Sequence, residues 1–115
     1  MIIKVDTCVL NPSDILFLRG KYNVKSKYPY TPGWEGSGTV VKCGESKLAQ
    51  SFMGKRVAFT KVGEVGEYKI GGAYADYTTG DCSMLIPIPD KLSFEDASAW
   101  VVNPWTAVGM VERCI

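Results

Sequence analysis

The segment Gly33-Trp34-Glu35-Gly36-Ser37-Gly38 runs directly into Thr39-Val40-Val41, and this order constrains the chain more than any other stretch. Glycines before a β-branched run give the backbone room to turn tightly into a twisted strand. A phosphate-binding glycine loop works differently: its glycines lie between a strand and a helix, so that the helix N-terminus meets the pyrophosphate. Here the glycines lead into a strand, and their spacing is not G-x-G-x-x-G. A dinucleotide fingerprint is therefore excluded at this position, and a barrel-type strand is expected. At 115 residues the chain has room for one domain with a real core.

The 115 residues contain no histidine. That removes imidazole general bases, Ser-His-Asp triads and His-ligated metals together. Thirteen Lys and Arg against twelve Asp and Glu leave a net charge of +1, which gives a nucleic-acid footprint no electrostatic support. Cys8, Cys43, Cys82 and Cys114 stand 30 to 40 residues apart, with no CxxC pair for a zinc ribbon or a redox motif. The start Met1-Ile2-Ile3-Lys4-Val5 lacks the basic region and apolar core of a signal peptide. The apolar runs also fall far short of a ~20-residue membrane span. The expectation is a reduced intracellular domain with no membrane or nucleic-acid partner, cytoplasmic by default. Nothing in the sequence separates the cytosol from a mitochondrial compartment.

Along the chain, Ile2 to Val9 alternates as a half-buried strand. Asn11-Pro12-Ser13-Asp14 is a turn, with Ser13 or Asp14 capping a short helix Ile15 to Arg19 that Gly20 closes. Lys21 to Pro32 reads as a basic, tyrosine-rich loop, and Gly33 to Cys43 and Gly54 to Thr60 as turn-and-strand units. Lys61 to Gly72 reads as a glycine-rich loop, Ala73 to Thr78 as an alternating strand, and Met84 to Pro89 as a short edge strand. Ser93-Phe94-Glu95-Asp96 starts a helix with a serine cap. Asn103-Pro104 starts a second, with Asn as cap and Pro at its first position. Strands first and helices last predict a mainly β fold with terminal helices: a small, partly open β-barrel.

Seven stretches in order carry a resemblance: Asn11 to Ile15, Arg19 to Tyr22, Pro32 to Gly38, Gly54 to Val57, Gly72 to Tyr77, Pro87 to Asp90 and Val102 to Ala107. Together they resemble the N-terminal GroES-like domain of the medium-chain dehydrogenase/reductase superfamily. In the zinc branch, the positions matching Asn11, Trp34 and the neighbourhood of Val102 carry a cysteine, a histidine and a cysteine. A catalytic zinc needs three converging N or S ligands, and this chain has Asn, Trp and Val there. The resemblance therefore points to the zinc-independent quinone oxidoreductases and, nearly as closely, the 2-enoyl thioester reductases. It implies NADPH as cofactor, no zinc, and a quinone, enone or enoyl thioester as substrate.

The resemblance also implies site residues. Tyr22 stands where enoyl thioester reductases place a proton-delivering tyrosine; the alternative is an exposed loop tyrosine that shapes the cleft. Trp34 fills the former metal position or walls the substrate cleft. Asn11 is a nicotinamide or substrate contact, or an ordinary turn residue. Asn103 is first a helix cap and second a cofactor contact, and Thr106 matches a threonine near the nicotinamide. Asp14 reads as a helix-start residue and Glu35 as a structural hydrogen-bonding group. Lys25 and Lys27 form a solvated basic loop or meet an acyl-CoA phosphate.

Residues 1–115 are expected to be a substrate-side domain truncated at both ends, its Rossmann nucleotide-binding domain absent. The parent would then be a homodimer through that other domain and this piece a monomer. The reading from a different class is a non-catalytic GroES-like binding module.

Overall fold

Every strand pairing in the sheet is antiparallel, and the order β4-β1-β2-β3-β5 puts β2 at the centre. The computed structural model describes residues 1–23, 29–60 and 72–115; the expected loop over Lys61 to Gly72 and the Lys25/Lys27 stretch lie almost wholly outside these. The elements are β1 (Ile2–Cys8), α1 (Pro12–Leu18), β2 (Glu35–Lys42), α2 (Lys47–Gln50) and β3 (Arg56–Thr60). They continue with β4 (Tyr77–Thr79), a 3-10 turn (Cys82–Met84), β5 (Leu85–Pro87), α3 (Phe94–Ser98) and α4 (Val102–Cys114). The fold is thus mainly antiparallel β with terminal helices, as expected, and the described sheet is open between β4 and β5.

Alternation along β3 divides the core. Val57 and Phe59 join Ile3, Val40 and Leu85 on one face, closed by Phe52 and Ala73. Ala58, between them, joins Ile88 and Ala97 on the other, where Phe94 and Trp100 of the α3 region pack. Ser37 and Arg56 fasten this second layer. The Ser37 hydroxyl donates to the Phe94 carbonyl at 2.6 Å. The Arg56 guanidinium donates to the carbonyls of Pro89, Asp90 and Leu92 and lies 4.3 Å from the Phe94 ring centroid, a cation–π distance.

The glycine-rich entry to β2 is a steric requirement. The register shifts between Val5 and Thr7, which oppose Gly38 and Ser37 and leave Asp6 as an extra residue in β1. There the β1 backbone comes so close that a Cβ on Gly38 would run into the Lys4 carbonyl.

Several helix and strand boundaries differ from the sequence-based expectation. α1 starts at Pro12 with Asn11 as its cap residue; Asp14 is in the third helical position and accepts from the Asn11 N–H at 2.8 Å. Ser13 is therefore inside the helix and not its cap. α2, capped by Ser46, was not expected; four residues are too few to show a period. The strand expected over Ala73 to Thr78 is reduced to Tyr77–Thr79, because the Ala73 and Tyr74 N–H groups bond the Gly33 and Pro32 carbonyls. α3 has its Ser93 cap as expected, accepting from Asp96 N at 3.0 Å.

α4 starts at Val102 after Val101, so Asn103 is not its cap and Pro104 is its third residue. The acceptor that starts this helix is tertiary: Glu35 Oε2 takes the Val101 and Val102 N–H groups at 3.2 and 2.8 Å. The negative carboxylate thus lies at the positive end of a 13-residue helix, a favourable pairing.

Gly38→Ala should destabilise the chain by about 2–3 kcal/mol through backbone displacement. Gly44→Ala, with open space at its Cβ, should stay within about 0.5 kcal/mol of the parent in urea unfolding. Glu35→Gln keeps the shape but turns an NH₂ toward N–H donors; it should cost about 2–3 kcal/mol in the same measurement.

Candidate active site

The site begins with how α1 ends. The Gly20 N–H bonds the Phe17 carbonyl at 2.9 Å and the Lys21 N–H bonds the Leu16 carbonyl at 2.8 Å, the paired bonds of a Schellman stop. Gly20 takes φ +67°, a conformation that glycine adopts without a Cβ penalty. The chain leaves the helix there and brings Tyr22 against Trp34, with ring centroids 5.6 Å apart and planes at 52°. Phe17, buried under α1, meets Trp34 edge-on at 5.5 Å and Tyr30 at 5.4 Å. Contacts of this geometry hold aromatic rings in place.

Ser13, Tyr22, Trp34, Thr60 and Val102 line a cleft of about 270 Å³. The Thr60 hydroxyl donates to the Trp34 carbonyl at 3.0 Å, and Asp14 Oδ1 accepts from the Trp34 N–H at 3.2 Å. The Trp34 backbone is therefore held from both sides of the strand entry. Tyr22 is 38% exposed and open to a ligand in this cleft.

Beneath the cleft lies a polar chain. Asn11 is buried; its Nδ2 donates to Glu35 Oε1 at 3.2 Å and its Oδ1 accepts from Asn103 Nδ2 at 3.2 Å. Glu35 is fully buried, and its other oxygen holds the start of α4. One helical turn further on, the Thr106 hydroxyl donates to the Val102 carbonyl at 2.6 Å, and its side chain is on an exposed face. Tyr74 stands apart: its hydroxyl donates to the Val9 carbonyl at 3.0 Å. Burial, then the Asp14 charge, pushes that phenol up to about 12, so it stays a fixed donor.

The expected site residues thus fall into two groups. Tyr22 and Trp34 come together as cleft walls, and Asn11 and Asn103 come together beneath them. Val102 belongs to both, lining the cleft while its N–H is held by Glu35. Thr106 follows on α4 without joining either set of contacts. Ser13 and Thr60 were not anticipated as lining residues; Thr60 owes its place to strand register, opposite Glu35, which no local pattern shows. Among the described residues no group of three or more Cys, Asp or Glu comes together as a metal site, and all four cysteines are free. No helix among them is long and apolar enough to cross a membrane.

Comparison with known proteins agrees with this architecture. The chain is 31% identical over 107 residues to a quinone oxidoreductase of Lama guanicoe, covering 93% of this chain and 30% of that protein. It is 31% identical over 119 residues to a trans-enoyl reductase of Aspergillus flavipes, covering 96% and 34%. A crystal structure from Mesorhizobium loti, provisionally described as an NADPH:quinone reductase, superposes with a TM-score of 0.83 at 37% identity, over 97% of this chain and 31% of that one. The chain therefore spans about a third of the length of these relatives. Residues 1–90 match the family model of the alcohol dehydrogenase GroES-like domain, and the chain belongs to that family, the GroES-like domain of the medium-chain dehydrogenase/reductase superfamily.

Proposed function

We propose that this chain is the substrate-side domain of an NADPH-dependent, zinc-independent oxidoreductase that reduces quinones or activated alkenes. The observation that carries the reading is the cleft in which Tyr22 lies against Trp34 beside the start of α4, in a domain whose relatives include a quinone oxidoreductase. An indole wall suits the flat face of a conjugated carbonyl compound, and a phenol can donate to its oxygen and deliver a proton. The zinc-independent part rests on chemistry: an amide, an indole and an alkyl side chain occupy Asn11, Trp34 and Val102, and none of them is a zinc ligand. Polarisation of the carbonyl then falls to hydrogen-bond donors.

The described residues fit one end of a dinucleotide. Asn103, whose Nδ2 reaches Asn11, and Thr106, whose hydroxyl proton goes to the Val102 carbonyl, leave an amide oxygen and a hydroxyl lone pair on exposed positions of one helix, acceptors suited to the carboxamide NH₂ of a nicotinamide ring. Gly33 leads into β2, Gly36 and Gly38 lie within it, and none of them offers a phosphate cradle, so a nucleotide-binding domain outside these 115 residues would hold the rest. When bound, NADPH supplies the hydride. Trp34 orients the substrate, and Tyr22 gives its proton to the oxygen of a quinone or the enolate of an enone. Asn11 acts as a positioning residue, because its amide is committed to Glu35 and Asn103. The similarity to a trans-enoyl reductase supports a second reading with the same chemistry, in which the substrate is a 2-enoyl thioester.

NADPH oxidation compared between an o-quinone and a short enoyl-CoA decides between the two substrates. In the oxidoreductase containing this domain, Tyr22→Phe is expected to lower kcat about 10²-fold with KM little changed; unaltered rates with both substrates would remove Tyr22 from the mechanism. The 115-residue chain alone is expected to bind NADPH more weakly than micromolar, and a micromolar or tighter affinity by isothermal titration would overturn that division of labour.

A further inference from the structure

A second cavity, of about 460 Å³, adjoins the cleft. Met84, Leu85 and Ile86 form its β5 side, and Val101 and Trp105 its α4 side. The two spaces share Thr60 and meet again at the consecutive residues Val101 and Val102. The shared Thr60 and the adjoining Val101 and Val102 set the two spaces side by side, from Tyr22 past Thr60 toward Trp105.

The chemistry changes along this line. The Tyr22–Trp34 end carries a phenol and the Ser13 hydroxyl. The other end has Thr60 and Ser83 as its polar lining residues among those described, and both hydroxyls are committed elsewhere. Thr60 donates to the Trp34 carbonyl, and Ser83 donates to Asp81 Oδ1 at 2.6 Å. What remains facing the space is mostly hydrocarbon, together with the indole of Trp105, which is 65% exposed. A polar ligand group entering there would find few partners in place of its hydration, the Trp105 indole N–H and the spare lone pairs of the two hydroxyls, whereas an aliphatic group would gain by leaving water.

We propose that the β5–α4 cavity is a tail subsite. It takes an aliphatic substituent carried by the conjugated carbonyl compound whose head lies between Tyr22 and Trp34. The preferred substrate class is then an alkyl- or prenyl-substituted quinone or enone, rather than the bare ring. This rests on the cleft being the substrate site, and the test separates the two claims.

The test uses the 115-residue chain with methylhydroquinone and hexylhydroquinone, held reduced by ascorbate so that neither alkylates the cysteines, and followed by NMR titration. Both compounds should shift the Tyr22 and Trp34 signals. The hexyl compound should also shift Met84, Ile86 and Trp105, with a Kd at least tenfold lower. Trp105→Ala removes an exposed wall, and Met84→Lys puts a charge in the cavity. Each should bring the hexyl Kd to within threefold of the methyl value and leave methylhydroquinone binding unchanged. Equal affinity for the two compounds, or a tail advantage that survives both variants, would overturn the subsite while leaving the head reading intact. If methylhydroquinone leaves Tyr22 and Trp34 unmoved, the substrate reading itself fails and the tail subsite goes with it.

Discussion

Glu35 is a carboxylate buried at the start of the central strand β2, and the rest of the site depends on how its charge is met. Removing such a group from water costs several kcal/mol unless hydrogen bonds replace hydration. Here Asn11 donates to one oxygen and the first N–H groups of α4 donate to the other. The same bonds that make the burial tolerable also set where α4 starts. α4 itself buries none of its residues. Its attachment to the sheet is therefore concentrated in its first turn, through Glu35 and through the bond from Asn103 to Asn11.

Asp14 does for the aromatic wall what Glu35 does for the helix. One of its oxygens accepts from the Asn11 N–H and the other from the Trp34 N–H. The start of α1 and the entry to β2 are thereby tied to one carboxylate. Both carboxylates reach Asn11, so the turn after β1 joins the aromatic wall to the α4 wall. A network of this kind is rigid when every member is satisfied, and truncating one member leaves another buried and unpaired. The cleft walls thus inherit their geometry from residues that do not line the cleft.

What the sequence revealed and what it hid separate along the same line. The β-branched run after Gly38 and the Ser93 cap are local signals, and β2 and α3 follow them. Asn103-Pro104 is an equally good local signal for a helix start, yet α4 begins two residues earlier because its acceptor comes from Glu35, more than 60 residues away. Ala73 to Asp76 alternates like a strand, but the Ala73 and Tyr74 N–H groups are taken by the chain at Gly33 and Pro32. Thr60 lines the cleft through its register against Glu35. Tyr22 and Trp34 could be singled out from the sequence only through family resemblance. Their approach depends on the Gly20 stop, which is itself legible, and on Phe17, whose burial against Trp34 is not.

The attachment of α4 at its first turn, through Glu35 and Asn11, sets how far along the helix a position is held. A helix rises about 1.5 Å per residue, so Thr106 lies about 6 Å beyond Val102 and Cys114 about 18 Å beyond it. A 10° tilt at the joint would move Thr106 by about 1 Å but Cys114 by about 3 Å. Displacements near 1 Å already matter to a reaction that requires aligned partners. Asn103 and Thr106 fall in the part of α4 that Glu35 can hold within that tolerance, and the tail cavity ends at Trp105, within the same turn. Beyond it the helix carries exposed Val108, Met110 and Val111. Among the described residues, the part of α4 that the buried carboxylate and its Asn11 partner hold is the first turn, where Val102 and Asn103 lie.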